Sequence, residues 1–451
     1  MDPQSSDART HVIIVGAGVA GLLAARVLSN HFESVTIIER DALTAQPEPR
    51  KGVPQGHHVH GLLAKGQEIL AQLFPGLISA LNAGGGVSVD MGNDCRWHHH
   101  GVWKIRFHSG IEGMLCTRPY LEWHITKRVT ALNNVRLVNA TVERLLLDRA
   151  RGRIKGVEFC APSGSATLLA DLVLDASGRG SRTPQWLNAV GCAAPDQTTV
   201  NVDVLYASRF YRPRPGEWDW KALLVSPVAP SRRLASVVVV ERNRWLVTLG
   251  GLHGERPPTD EAGYLEYARG LDIPEVYQAI VGAEPLSPII THRFPSNLRR
   301  HYERLGSFPD GLLVLGDAFC CFNPIYGQGM TVSALQAVAL DELMRNPAAR
   351  RNSFGLPRRF HDTIAKIVDA PWQLTTWEDF RYKEALSKRP AAMALLHWYT
   401  GRMFEKSSYD ASVAGTFYRV MHMIDAPWSI FHPSIIWKTI GSRRAPGSKQ
   451  T

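Results

Sequence analysis

The chain has 451 residues, 45% of them hydrophobic and 20% charged, with 51 Lys and Arg against 41 Asp and Glu for a net charge of +10. That length exceeds one compact core, and that apolar content excludes intrinsic disorder, collagen and repeat solenoids. The positive excess is diffuse, with short clusters such as Arg299-Arg300 and Arg443-Arg444, so it favours an anionic cofactor, an anionic substrate or a weak peripheral membrane contact over nucleic acid.

Residues Met1 to His11 are polar and do not read as a signal peptide. Val12 to Val15 form a β-branched run suited to a strand buried on both faces. Gly16-Ala17-Gly18-Val19-Ala20-Gly21 follows, then an apolar helix from Leu22 to Leu28 and a second strand, Val35 to Ile38, closed by Glu39. This is a complete β-α-β dinucleotide unit. Gly16 permits the tight turn, Gly18 admits a pyrophosphate to the backbone, and Gly21 lets helix and strand pack closely. The helix N-terminus offers free N–H groups to phosphate. Glu39 can accept from ribose hydroxyls, which favours FAD or NAD over NADP at this site. Val19 and Ala20 in the turn, and Arg40 after the acid, complete the binding set at this end.

Further along, Asp171 to Asp175 reads as a strand running into Ala176-Ser177-Gly178-Arg179-Gly180-Ser181-Arg182. Strand-like runs follow at Val200–Tyr206, Ala235–Val240 and Trp245–Leu249. Leu312 to Leu315 is another buried strand, leading into Gly316-Asp317-Ala318-Phe319-Cys320-Cys321-Phe322-Asn323-Pro324-Ile325-Tyr326-Gly327-Gln328-Gly329 and a helix from Met330 to about Met344. The remainder, 346–451, reads as helical and holds Trp372, Trp377, Trp398, Trp428 and Trp437, suited to core or interface packing, or else to a lipophilic or membrane surface. The tail from Arg443 is expected to be disordered.

The six cysteines show neither a disulfide framework nor paired metal spacing, which points to a reducing, cytoplasmic compartment. No stretch approaches the roughly 18 apolar residues of a membrane span. The histidines at 57, 58 and 60 and at 98–100 lack acid or thiol partners at ligand spacing, so no metal is expected.

The segment Gly316 to Gly329 resembles the G-D-A-x-H-x-x-x-P-x-x-G-x-G pattern of flavoprotein monooxygenases with the glutathione-reductase-type FAD fold. The Asp175 segment resembles that family's second motif, and Arg118-Pro119-Tyr120-Leu121 its Arg-x-x-Leu segment. The resemblance implies an α/β chain. A Rossmann-like FAD-binding domain would comprise 1–72, 114–190 and 285–345, with an inserted β-sheet substrate domain (73–113 and 190–285) and a helical C-terminal domain (346–451). It further implies that Asp317 holds the FAD ribitol or ribose, and that Arg50 and Arg118 contact FAD. Asp175 would lie near the pyrophosphate, and Gly316, Pro324, Gly327, Gln328, Gly329 and Met330 along the cofactor. Gly52-Val53-Pro54-Gln55 with His58 and His60, taken with Phe322 to Met330, is similar to bacterial FAD-dependent epoxidases and hydroxylases of secondary metabolism, including polyether epoxidases.

The implied activity is transfer of one oxygen atom from O2, through a flavin hydroperoxide, to a lipophilic or aromatic substrate. NADPH or NADH would serve as reductant, directly or through a flavin reductase. Phe322 and Tyr326 would line the substrate pocket, and His58, His60 and Tyr326 are the catalytic candidates. The chain departs from aromatic hydroxylases in carrying Cys320 and Thr331 where they have His and Asn. A prenyl reductase of the geranylgeranyl-reductase kind shares these motifs. A halogenase would need Ile-Pro after Trp218-Asp219-Trp220-Lys221, where this chain has Ala222-Leu223.

Overall fold

The computed structural model describes residues 10–214, 216, 218–346, 354–385 and 391–441. Its centre is a five-stranded parallel sheet in the order Leu312–Val314, Leu172–Asp175, His11–Val15, Ser34–Glu39 and Val135–Asn139. Val12, Ile13 and Ile14 are wholly buried because the middle strand is covered on both faces. Helix Val19–Leu28 packs against helix Gly329–Arg345 on one side. A three-stranded antiparallel sheet, Thr141–Asp148, Arg153–Ala161 and Gly164–Leu169, lies next to the parallel one.

A second, eight-stranded sheet runs Cys320–Cys321, Ile290–Arg300, Gln197–Tyr211, Arg244–Gly251, Arg233–Val240, Ala222–Val225, Cys95–His99 and Val102–Trp103. One face packs Trp245 and Trp220 against Tyr264 and Val276 of two short helices. The other carries Trp97, Val238 and Leu246 toward Phe404 and Phe417 of the C-terminal helices. The expected segmentation shifts accordingly. Within 285–345, strand Ile290–Arg300 belongs to this second sheet, because it pairs along its length with Gln197–Tyr211. Within 73–113, only Cys95–His99 and Val102–Trp103 join that sheet, while Val87–Asp90 pairs with Glu112–Leu115 in a small separate one.

Helices Leu356–Asp379, Ala391–Lys406, Ala411–Met421 and Pro433–Gly441 close the molecule, and the first of them packs against Gly329–Arg345. The packing expected of the C-terminal tryptophans holds for two of the five. Trp372 lies against the main core and Trp377 lines a small chamber, whereas Trp398, Trp428 and Trp437 are 48%, 72% and 72% exposed. Among the described residues no helix is long and apolar enough to cross a membrane. The readings made for the residues before 10 and for the tail from Arg443 lie outside the described residues.

Candidate active site

One cavity of about 680 Å3 runs from the carboxyl ends of the parallel strands to the inner face of the eight-stranded sheet. The carboxyl edge of a doubly wound sheet is where open α/β folds place their ligands, because the crevice and the helix N-termini coincide there. At this end lie Gly16, Gly18, Val19, Ala20, Glu39 and Arg40. Gly16 turns at φ +101°, and a Cβ on it would stand 2.7 Å from the Ala176 carbonyl oxygen. Gly21 lies against the Gly16 carbonyl at the start of the helix, where a Cβ would fall 1.9 Å from that oxygen. Gly18, by contrast, faces open space, with nothing within 4 Å of a Cβ built on it. The sequence thus builds a bare backbone cradle at a helix N-terminus.

Beneath the cradle runs a buried chain of alternating charge. The Ala17 amide donates to Glu39 Oε2 (2.6 Å), and Arg50 Nη1 sits 3.5 Å from the same oxygen. Arg50 Nη2 donates to Glu122 Oε2 (2.9 Å), and Arg118 Nε donates to Glu122 Oε1 (2.6 Å). Burial opposes the charge on Glu122, but the Arg118 and Arg50 guanidiniums outweigh it and hold the carboxyl below its ordinary range. Asp317 follows strand Leu312–Val314 and lines the cavity; burial pushes its carboxyl up, against the pull of Arg118, Arg179 and Arg300.

The far end is apolar. Leu224, Val225, Leu234, Val238 and Phe294 of the sheet face Phe322, Pro324 and Tyr326 across it. Among the polar side chains that interrupt this wall are His58, Tyr206 and His292. His58 is fixed through Nδ1 to Ser208 Oγ (2.7 Å), and Ser208 Oγ is in turn hydrogen-bonded to Thr248 Oγ1. Its Nε2 and the Tyr206 hydroxyl are buried with no hydrogen-bond partner. Burial, then His292, His60 and His57, push the His58 imidazole down to about 3, so it is neutral at pH 7. His60 bonds the His58 carbonyl through Nδ1 (2.9 Å) and is pushed down to about 4, first by burial and then by Arg118.

These groups fit FAD. The cradle is open where an anion would sit, acids and arginines flank it, and the loop 322–330 lines the cavity beyond with Phe322, Pro324 and Met330. The comparisons agree. The FAD binding domain family matches residues 9–59. Protein Rv3254 of Mycobacterium tuberculosis is 30% identical over 96% of this chain and 93% of its own length. Kynurenine 3-monooxygenase of Salinispora arenicola is 25% identical over 81% of this chain and 80% of its own. The chain belongs to the FAD-binding, monooxygenase-like flavoprotein family. The solved structure of the flavin-dependent brominase Bmp2 shares the fold of this flavoprotein, with a TM-score of 0.69 at 13% identity over 96% of this chain and 98% of that one.

The structure brings most of the expected residues to the cavity wall: those of the cradle, Arg118, Asp317, Phe322, Pro324, Tyr326, Gly327, Gln328, Gly329, Met330, His58 and His60. Four lie behind it. Gly21 and Gly316 are packing positions, with Gly316 pressed on Ala20. Arg50 acts through Glu39 and Glu122. Asp175 is wholly buried and pins its own turn, accepting from the Ser177 amide (2.9 Å) and from the Ser181 and Thr183 hydroxyls, while the next residues, Ala176 to Gly178, line the cavity. Trp220 stacks on Trp245 and Trp218 meets it edge-on, both outside the cavity. Sequence reasoning missed Glu122, Tyr206, Ser208 and His292. The i, i+2 spacing of Tyr206 and Ser208 on one strand face was the available signal.

Proposed function

We propose that this flavoprotein is an FAD-dependent monooxygenase that adds one oxygen atom of O2, by epoxidation or hydroxylation, to a neutral lipophilic or aromatic substrate, as a step in secondary metabolism. The supporting observation is the single cavity that joins a nucleotide cradle to an apolar wall. FAD, when bound, supplies the oxygen-activating redox chemistry. The chain itself binds, orients and excludes water. The cradle and the Glu39–Arg50–Glu122–Arg118 chain would hold the nucleotide end, and Asp317 would meet the ribitol. Phe322, Pro324 and the sheet wall would desolvate the reacting centre. No side chain need act as a base, because the cofactor carries the oxygen-transfer chemistry. NADPH or NADH would enter transiently, or a flavin reductase would deliver the electrons. A smaller chamber of about 100 Å3 adjoins at Trp97, Ile325 and Tyr326 and extends toward Leu396 and Met403, which gives room for a substrate longer than one ring. The packing of Trp218 and Trp220 away from the cavity gives halogenation no support.

The test is turnover under 18O2 with NADPH and a panel of alkenes and aromatics. One labelled oxygen in the product is expected; a saturated, unlabelled product would establish the reductase instead. His58→Ala is expected to keep FAD but lower kcat/KM about tenfold, the worth of one lost hydrogen bond to a neutral group. Since His58 stays neutral above about 3, the wild-type rate should show no limb from it near pH 6.5. The exposed Trp428 and Trp437 suit a peripheral membrane contact. Flotation with anionic vesicles at low salt should capture the protein, and Trp428→Ala with Trp437→Ala should release it.

A further inference from the structure

Helix Leu356–Asp379 lies outside every nucleotide-binding motif, yet its last turns grip the loop at the ring end of the cavity. Asn323 Nδ2 and the Tyr326 hydroxyl both donate to Asp379 Oδ1 (2.9 and 3.2 Å), and Asn297 Nδ2 donates to Oδ2 (2.6 Å). Asn297 Oδ1 accepts the Asn323 backbone N–H, which closes the network onto strand Ile290–Arg300. One turn earlier, Thr375 Oγ1 donates to Gln328 Oε1 (3.2 Å). Asp379, Asn297 and Asn323 are at most 1% exposed.

We propose that Asp379 is a positioning residue that sets the Tyr326 hydroxyl at the cavity wall and holds a proton in common with it. The proposal rests on the reading of the loop 322–330 as the wall beside the FAD ring. An anchor that only fixed a loop would be met equally well by a neutral amide, or by a carboxylate paired with a cation. Here the buried carboxyl has two amides and a phenol for partners, and among the described residues no cation pairs with it. Burial, and after the opposing hydrogen bonds the charge of Glu378, push it up to about 7. The charged groups next to it pair with one another. Glu378 is held by Arg381 (2.8 Å) and faces His100 (3.6 Å), while Tyr206 and Tyr382 add only phenols. When Asp379 is ionised, the phenol proton of Tyr326 points to it and a lone pair faces the cavity. When Asp379 is protonated, it donates to the phenol oxygen, and the phenol proton turns outward. The cavity wall thus presents an acceptor above this range and a donor below it.

The test uses the FAD-loaded protein. Its visible spectrum and midpoint potential, followed from roughly pH 5.5 to 9, should bend near pH 7. Asp379→Asn should remove the bend, Asp379→Glu should restore it, and Tyr326→Phe should shrink its amplitude at least twofold. Identical profiles for wild type and Tyr326→Phe would overturn the proposal, even if Asp379→Asn failed to fold. So would a bend that survives in Asp379→Asn. An infrared carboxylic-acid band that vanishes as pH passes 7 in the wild type, and is absent in Asp379→Asn, reads the proton without flavin. Colourless wild-type protein would instead refute the FAD reading, and that infrared band would still decide the proton.

Discussion

Replacing Gly21 by valine is expected to yield protein that either fails to accumulate in soluble form or emerges from gel filtration without flavin. A Cβ at this position would sit 1.9 Å from the Gly16 carbonyl oxygen, so the helix must move away from the strand that precedes it. Gly16 cannot yield in the other direction, because its own α-carbon faces the Ala176 carbonyl and it turns at φ +101°. Three backbone segments therefore meet with no room for a side chain. Overpacking costs about 3 kcal/mol at the upper end of its usual range, and the same displacement applied to the cradle would weaken FAD by roughly 100-fold. Gly18→Ala provides the contrast. Its methyl would project into open space, so the apo protein should denature at the wild-type midpoint while FAD occupancy falls. If both variants lost stability alike, the cradle would be a packing feature and Gly18 would face no ligand. If Gly18→Ala retained full flavin, the pyrophosphate would lie elsewhere.

The cradle was legible in the sequence because its geometry is local. A β-branched run, three glycines at fixed spacing and a terminal acid each answer to a constraint within thirty residues. The strand at 312–314 and its loop were legible for the same reason. What escaped is long-range. Glu122 stands four residues after Arg118, a spacing shared by any solvent-exposed helix pair, and only the fold brings Arg50 to its other oxygen. Asp379 lies 56 residues beyond Asn323 on a helix with no motif of its own. Asp175 answers to a local constraint of another kind. An acid at the end of a buried strand can face a ligand or its own turn, and Ser177, Ser181 and Thr183 supply enough donors to turn it inward. Strand Ile290–Arg300 falls within 285–345, the stretch expected in the nucleotide unit, yet sheet membership is decided by pairing, which here reaches back to Gln197–Tyr211.

Glu122→Ala is expected to be the most destabilising single change among the polar residues of the site. The carboxylate is almost completely buried and serves two guanidiniums, of which Arg50 is 9% exposed and would keep only the longer contact to Glu39 and a neutral partner, the Ala17 carbonyl. Removing one member of a buried ion pair leaves the other charge without compensation, at a cost of about 3–5 kcal/mol. Burial alone would lower the pKa of Arg50, but Glu122, Glu39 and Asp41 together raise it, so the guanidinium cannot escape by losing its proton. Arg118, released from Glu122, would no longer be aimed along the cavity wall, and FAD affinity should fall with stability. Adding Arg50→Met to Glu122→Ala should recover part of the loss, since the pair then leaves together. Strict additivity in that cycle would show the two residues to be independent, contrary to the 2.9 Å contact. The acid side gives a second check. Because the fold holds the Glu122 carboxyl below its ordinary range, its contribution is complete above the unfolded value near 4.5 and is lost as pH falls through the lower folded value. Chemical denaturation from neutral to acid pH should therefore show the wild-type advantage over Glu122→Gln shrinking only below that point, and a gap that stayed constant to pH 3 would mean that the carboxylate is not the charge the two arginines share.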